Sequence, residues 1–317
     1  MKRLLLCVPL FYEYPTIIAS GLRDKGYEVD VLLYPHSLLY KLLEQYAYGG
    51  NMFSKYESFY FRKQKKWVGS NYDVVLAIKA SMMPESFIQF LKEKNKRARF
   101  IQYIWDDISI DNKVITTFKY FDKICSFNPY DCKEYGLSFR PFFFAPQGIS
   151  LDAEKSLDIL FIVSYRKDRF NLAKKITEFS KKNQLKVKII LRASIVLFLS
   201  DLIHHLPYVS LFKTKGVPYV KMMNLLSRSV CSIELPAFSQ IGLTTRPFEA
   251  MGTRTKIITT NKDIENYDFY NPNNIKIIDE VLFDINCDWL KRPYEDVPEL
   301  IKNKYTIQTF LNDILSE

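Results

Sequence analysis

At 317 residues, with 48% apolar and 25% charged side chains, the chain has the length of two ordinary domains and the composition of a folded globular protein. Ten glycines exclude a glycine-rich or low-complexity fibre, and no window of about 20 apolar residues is long enough to cross a bilayer. The formal charge of +10 calls for an anionic partner or a solvated basic face.

The chain begins Met1-Lys2-Arg3 and continues into an apolar run that stops at Phe11-Tyr12-Glu13 without a small-residue cleavage site. A first strand at 3–9 is therefore expected in place of a secretory leader. The segment after it alternates helices and β-branched runs. Strands are expected at 27–33, 74–78, 99–104 and 123–127, with helices at 14–25, 36–46, 84–94 and 114–120. Gly26, between a helix and a strand, has the place of a helix C-cap. Basic residues gather at Arg62-Lys63-Gln64-Lys65-Lys66 and again at 92–99, each either a solvated helix end or a contact for an anion or an anionic lipid surface. No helix-turn-helix, zinc-finger or aromatic RNA-binding motif supports nucleic acid.

A proline- and glycine-bearing stretch at 139–148 breaks the rhythm and suits a crossing between domains at 1–145 and 146–317. The alternation then restarts. Strands are expected at 158–163, 186–191, 230–235, 256–260 and 274–278. Helices are expected at 168–182, 220–227 and 245–251, with C-terminal helices over 298–315. Repeated βα units of this kind make a parallel sheet covered by helices. Ligands bind at the carboxyl ends of such sheets, and two in tandem would face each other across a cleft.

Five cysteines stand singly, at Cys7, Cys125, Cys132, Cys231 and Cys287, and their odd number suits a reducing compartment. The three histidines include the adjacent pair His204-His205, poor geometry for one ion, so no metal site is expected. Neither a Gly-x-Gly-x-x-Gly nor a Gly-Lys-Ser/Thr element is present, which removes the common nicotinamide and P-loop readings.

The stretch 234–261 reads as strand end, polar loop, helix and strand. Thr244 and Thr245 can cap the helix, and Pro247 falls in its first turn, where a missing N–H costs little. Gly242 lets backbone approach a ligand, the helix N-terminus offers N–H groups to a diphosphate, and Arg246 adds a charged fork. Glu249, one turn further in, can accept both hydroxyls of a ribose.

These elements, Gln240-Ile241-Gly242-Leu243-Thr244, Glu249-Ala250-Met251-Gly252 and the strand into Thr259-Thr260-Asn261, resemble the C-terminal domain of the GT-B glycosyltransferases. More narrowly, they resemble the CgeB-like and lipopolysaccharide-biosynthesis transferases. The resemblance implies two Rossmann-like α/β domains facing across a cleft. It also implies that Glu249 holds the nucleotide ribose while Gln240, Gly242, Leu243, Thr244, Thr245 and Arg246 face the diphosphate. Many retaining members carry a second glutamate eight residues before the ribose-binding one, where this chain has Ile241. Tyr103-Ile104-Trp105-Asp106-Asp107 and 121–132 resemble the N-terminal domain of the same group. Asp106 and Asp107 follow a strand, where an inverting transferase needs a carboxylate to take the acceptor proton. The other place of an aspartate after a strand is a turn or a helix cap.

Ser164, Arg166, Lys167 and Arg169 occupy the turn that commonly supplies cations to the donor phosphates in GT-B enzymes. Tyr12, Glu13 and Tyr14, after the first strand, are placed for the acceptor. The expected activity is transfer from a nucleotide-sugar, a UDP-sugar foremost, to lipopolysaccharide, capsule or a lipid-linked acceptor. Neither metal nor other cofactor is expected. The expected site of action is cytoplasmic, at the inner face of the cytoplasmic membrane. The rival readings are a non-catalytic sugar- or nucleotide-binding module and a sugar-nucleotide epimerase of similar fold.

Overall fold

The computed structural model describes residues 1–37, 39, 40, 43, 50–194, 206–236, 240–279 and 285–317. Most of the helix expected at 36–46, and the pair His204-His205, lie outside the described residues. The chain divides into one unit of Met1–Pro141 with Ile307–Glu317 and a second of Phe142–Thr306.

In the first unit the strands are β1 (Lys2–Val8), β2 (Tyr27–Leu33), β3 (Val74–Ile78), β4 (Arg99–Ile104), β5 (Lys123–Ser126) and β6 (Ser138–Phe139). They form one parallel sheet in the order β2-β1-β3-β4-β5-β6. Every residue of β3 is buried, as a parallel strand covered on both faces requires. The order reverses between β1 and β3, so the loops that follow these two strands diverge and leave a crevice at their carboxyl ends.

The helix α1 (Tyr14–Asp24) follows β1 as expected. A 17-residue helix, α2 (Asn51–Trp67), lies outside the expected elements: among its described side chains Phe53 and Phe61 are buried, and Met52, Phe59 and Trp67 stand exposed among polar ones. Lys65 and Lys66 form its last turn, where cations offset the negative end of the helix dipole. In the second basic cluster, Lys94 donates to the Val68 carbonyl at 2.5 Å. Arg99 donates to the carbonyls of Leu315 and Ser316 at 2.9 and 2.7 Å. The latter contacts hold the final helix, Ile307–Leu315, to the first unit. It buries Ile307, Phe310, Leu311 and Ile314 there. A Cβ on Gly21 of α1 would come within 2.7 Å of the Leu311 Cδ1, so the glycine lets that side chain lie against α1.

The second unit has β7 (Leu157–Ser164), β8 (Val187–Arg192), β9 (Phe212–Lys213), β10 (Ser229–Glu234), β11 (Lys256–Thr259) and β12 (Ile275–Ile277). Their order, β12-β11-β10-β7-β8-β9, is again parallel throughout and reverses between β7 and β10. This is the doubly wound order of a dinucleotide-binding sheet. The core under it joins Ile159, Phe161 and Leu191 to Ile233 and Ile258.

All five cysteines are free thiols. Among the described residues no helix is long and apolar enough to cross a membrane.

Candidate active site

In the second unit the crevice lies where β7 and β10 end. Ser164 closes β7, and its carbonyl accepts from Arg169 at 3.2 Å. The Arg169 guanidinium also donates twice to the Leu235 carbonyl, at 2.9 and 2.6 Å. Arg166 donates to both oxygens of Asp168 and, at 2.9 Å, to the Pro236 carbonyl. Its charge holds the Asp168 carboxyl below the usual range. Both arginines thus fasten the loop after β7 to the chain leaving β10. Lys167 begins the following helix, Lys167–Asn183.

The loop after β10 leads into the helix Thr245–Gly252 with the expected cap: the Thr244 hydroxyl accepts the Arg246 N–H at 3.2 Å. Thr245 and Arg246 form the first turn, with Pro247 next. Gly242 and Leu243 are buried, and Gln240 donates to the Gly242 carbonyl at 3.4 Å. Asn261, after β11, donates to the Ile241 carbonyl at 2.8 Å and so pins the loop from the other side. Glu249 is 1% exposed and pairs with the Arg246 guanidinium at 3.1 Å.

Glu234, absent from the sequence-based candidates, ends β10 beneath this loop. The hydroxyls of Thr244 and Thr259 each donate to one of its oxygens, the second at 3.0 Å. Burial pushes its carboxyl above the glutamate range, against the opposing pull of those hydroxyls and of Arg246 and Arg169. A glutamate closing a β-branched run just before the donor loop was the signal that could have found it.

In the first unit the corresponding crevice lies after β1 and β3. Tyr12 takes a left-handed backbone (φ 49°), and Glu13 is exposed at the start of α1. Tyr14 is buried, its ring edge-on to Trp105 at 5.4 Å. Phe11 bridges the group, 4.7 Å from the Tyr12 ring and 6.4 Å from Trp105. Asp106, after β4, meets Lys79, whose ammonium donates to its carboxylate at 2.5 Å. Lys79 follows β3 in a left-handed conformation (φ 56°, ψ 58°), and its N–H donates to the Tyr103 carbonyl at 3.0 Å. No local sequence signal marks it. Asp107 turns inward, 1% exposed, and its carbonyl accepts the N–H groups of Ile110 and Asp111. The structure therefore gathers Tyr12, Trp105, Lys79 and Asp106 at one edge and buries Tyr14 and Asp107.

No family model matches the chain, and no curated protein matches it in sequence. Solved structures do match. One is a putative UDP-N-acetylglucosamine 2-epimerase from Listeria monocytogenes, with TM-score 0.60 and 10% identity over 100% of this chain and 95% of that one. Another is the catalytic domain of starch synthase IV from Arabidopsis thaliana bound to ADP and acarbose, at 0.56 and 9% over 100% and 92%. The lipopolysaccharide outer core galactosyltransferase WaaB, in its apo form, matches at 0.51 and 10% over 99% of each chain. The fold is that of the GT-B enzymes.

Proposed function

We propose that this protein is a glycosyltransferase that moves a sugar from a nucleotide-sugar donor, a UDP-sugar foremost, to a surface-glycan acceptor such as lipopolysaccharide, capsule or a lipid-linked precursor. The observation that carries the reading is the loop between Glu234 and Glu249. It lies at the reversal point of a doubly wound sheet, with a capped helix N-terminus, Arg246 and a buried glutamate one turn on. Backbone N–H groups and Arg246 would take the diphosphate, and Glu249 the ribose hydroxyls. Arg166, Lys167 and Arg169 would add positive charge as the diphosphate leaves, so the transfer needs no metal. Fold neighbours support the donor class: one is bound to ADP and acarbose, one is named for a UDP-sugar, and one is a lipopolysaccharide outer core galactosyltransferase.

The first unit would hold the acceptor against Phe11, Tyr12 and Trp105, with Asp106 as the base that takes the acceptor proton. The protein would work at the inner face of the cytoplasmic membrane. The exposed side chains of Met52, Phe59 and Trp67 on α2, interleaved with Lys63 and Lys66, suit an anionic lipid surface.

Incubation with labelled UDP-sugars and lipid-linked acceptors, with and without EDTA, tests the reading. Acceptor-dependent product that survives the chelator is expected. Binding without turnover would leave a sugar-nucleotide binding module. Interconversion of the donor sugar without acceptor would favour an epimerase, the reading to which the 0.60 structural match lends weight.

A further inference from the structure

The second unit carries a cavity of about 330 Å³ at the opposite edge of its sheet from the donor loop. Its lining includes Lys155, Asp158, Arg254, Lys256, Lys291 and Arg292, beside an apolar wall with Tyr294. Asp158 stands near the start of β7 and Lys256 begins β11, so this is the amino-terminal edge. Lys256 and Thr259, the latter bonded to Glu234, lie at opposite ends of one strand, roughly 10 Å apart at the usual rise. None of the donor-loop residues reaches this cavity's lining.

Positive charge is in excess there. Asp158 accepts the Lys186 N–H at 2.6 Å, Asp296 outside the lining is paired with Arg254 at 2.6 Å, and Glu295 raises Lys256 against the effect of burial. Within the lining itself five cations accompany one carboxylate, Asp158. The fold presses the cations together. Arg254, in a left-handed turn (φ 51°), joins the helix Thr245–Gly252 to β11, and Lys155 donates to the Arg254 carbonyl at 2.9 Å. Lys256 is 1% exposed, its ammonium donating to the Trp289 carbonyl at 2.7 Å and lying 4.6 Å over the indole. Burial, with Arg254 beside it, pushes Lys155 down to about 8, and burial with Arg292 lowers Lys256 as well. Crowded, partly desolvated cations are costly unless an anion relieves them. The cavity lies at the lower end of small-molecule sites, roughly 300–1,000 Å³, too small for a macromolecular ligand.

We propose that this cavity binds a small phosphorylated metabolite, its phosphoryl group among Lys155, Lys291 and Arg292 and its organic part against Pro293 and Tyr294. The site is separate from the donor loop and independent of the reaction assigned to it.

Calorimetric titration of glucose 6-phosphate into the intact protein saturated with UDP tests this. One-to-one binding is expected with the donor loop already occupied. The double variant Lys291→Ser with Arg292→Ser, both exposed, should weaken that binding at least roughly tenfold and leave UDP affinity unchanged. Equal binding by the variant, displacement of glucose 6-phosphate by UDP, or no binding at millimolar concentration would each overturn the proposal. So would charge-dependent retention on phosphatidic-acid vesicles without any binding of glucose 6-phosphate, which would give the cluster to a lipid surface. Failure of UDP to bind would count against the donor reading alone, since the double variant still decides this site.

Discussion

The hydroxyl of Thr244 donates to the Glu234 carboxylate while it accepts the N–H of Arg246. One side chain therefore ties the end of a central strand to the first turn of the helix that follows the loop. With Thr259 closing the other oxygen of Glu234 and Asn261 holding Ile241, the stretch from 240 to 246 is fastened at several points by the protein's own side chains. Such preorganisation lowers the cost of ordering a loop around a diphosphate.

The Glu234 link has a pH signature. Burial raises the folded-state affinity of this carboxyl for its proton above that of the unfolded chain. The folded state then binds more protons in the window above the ordinary glutamate value. The stabilising contribution is complete below that value and is lost as pH rises through the folded one. Urea unfolding between about pH 4 and about pH 8 should show the wild type losing stability relative to Glu234→Gln as pH rises. Parallel curves for the two proteins would mean that burial does not raise the Glu234 carboxyl in the folded state.

Glu249 pairs with Arg246 inside the unit, so its removal has two effects. Glu249→Ala strands a guanidinium and should cost roughly 3–5 kcal/mol of stability. Glu249→Gln keeps the shape and a hydrogen bond, and is the variant that reads the ribose role. Its UDP affinity should fall roughly tenfold to a hundredfold with little loss of melting temperature. Unchanged affinity by calorimetry would remove Glu249 from the donor site.

How much of this was legible from residues alone follows from the range of the forces involved. Val74–Ile78 is a solid apolar run, and a buried parallel strand leaves no other reading. Thr244 and Pro247 mark the helix start through bonds within the same turn, so the cap was visible. The helix Asn51–Trp67 was not, because few of its described side chains are buried and the apolar Met52, Phe59 and Trp67 stand exposed, which blurs the helical period. Lys79 was invisible for a different reason: its left-handed backbone is imposed by pairing with the Tyr103 carbonyl and Asp106, both distant in sequence. The attachment of the last helix to the first unit depends on Arg99 and Lys123 reaching its final carbonyls, contacts that no local pattern records.

The proposed membrane contact rests on α2. Wild-type protein should co-sediment with vesicles containing acidic lipid and be released as salt rises. Lys63→Ser with Lys66→Ser should reduce that binding, and Phe59→Ser should reduce what remains at high salt. Retention of both variants at wild-type levels would take this face out of the interaction.

The Lys79–Asp106 pair offers the sharpest separation of stability from activity. Both side chains are about one-third exposed, and an ion pair of that kind contributes ~0–1 kcal/mol. Holding a non-glycine residue left-handed costs about the same or more. Lys79→Gly removes the ammonium and frees the backbone together, so its melting temperature should match or exceed that of the wild type. Its turnover should fall, because Asp106 loses the contact that orients it. Lys79→Arg, which keeps a donor, should restore part of the rate. Asp106→Asn should lower turnover by about 10²–10⁴-fold while leaving UDP binding intact, as expected when a general base is removed. Asp107→Asn should act on stability instead, since that side chain is buried in the turn. Full activity in both Asp106→Asn and Lys79→Gly would make the pair structural. A retaining reaction, with the donor phosphate assisting proton removal, would then be the better account of the chemistry.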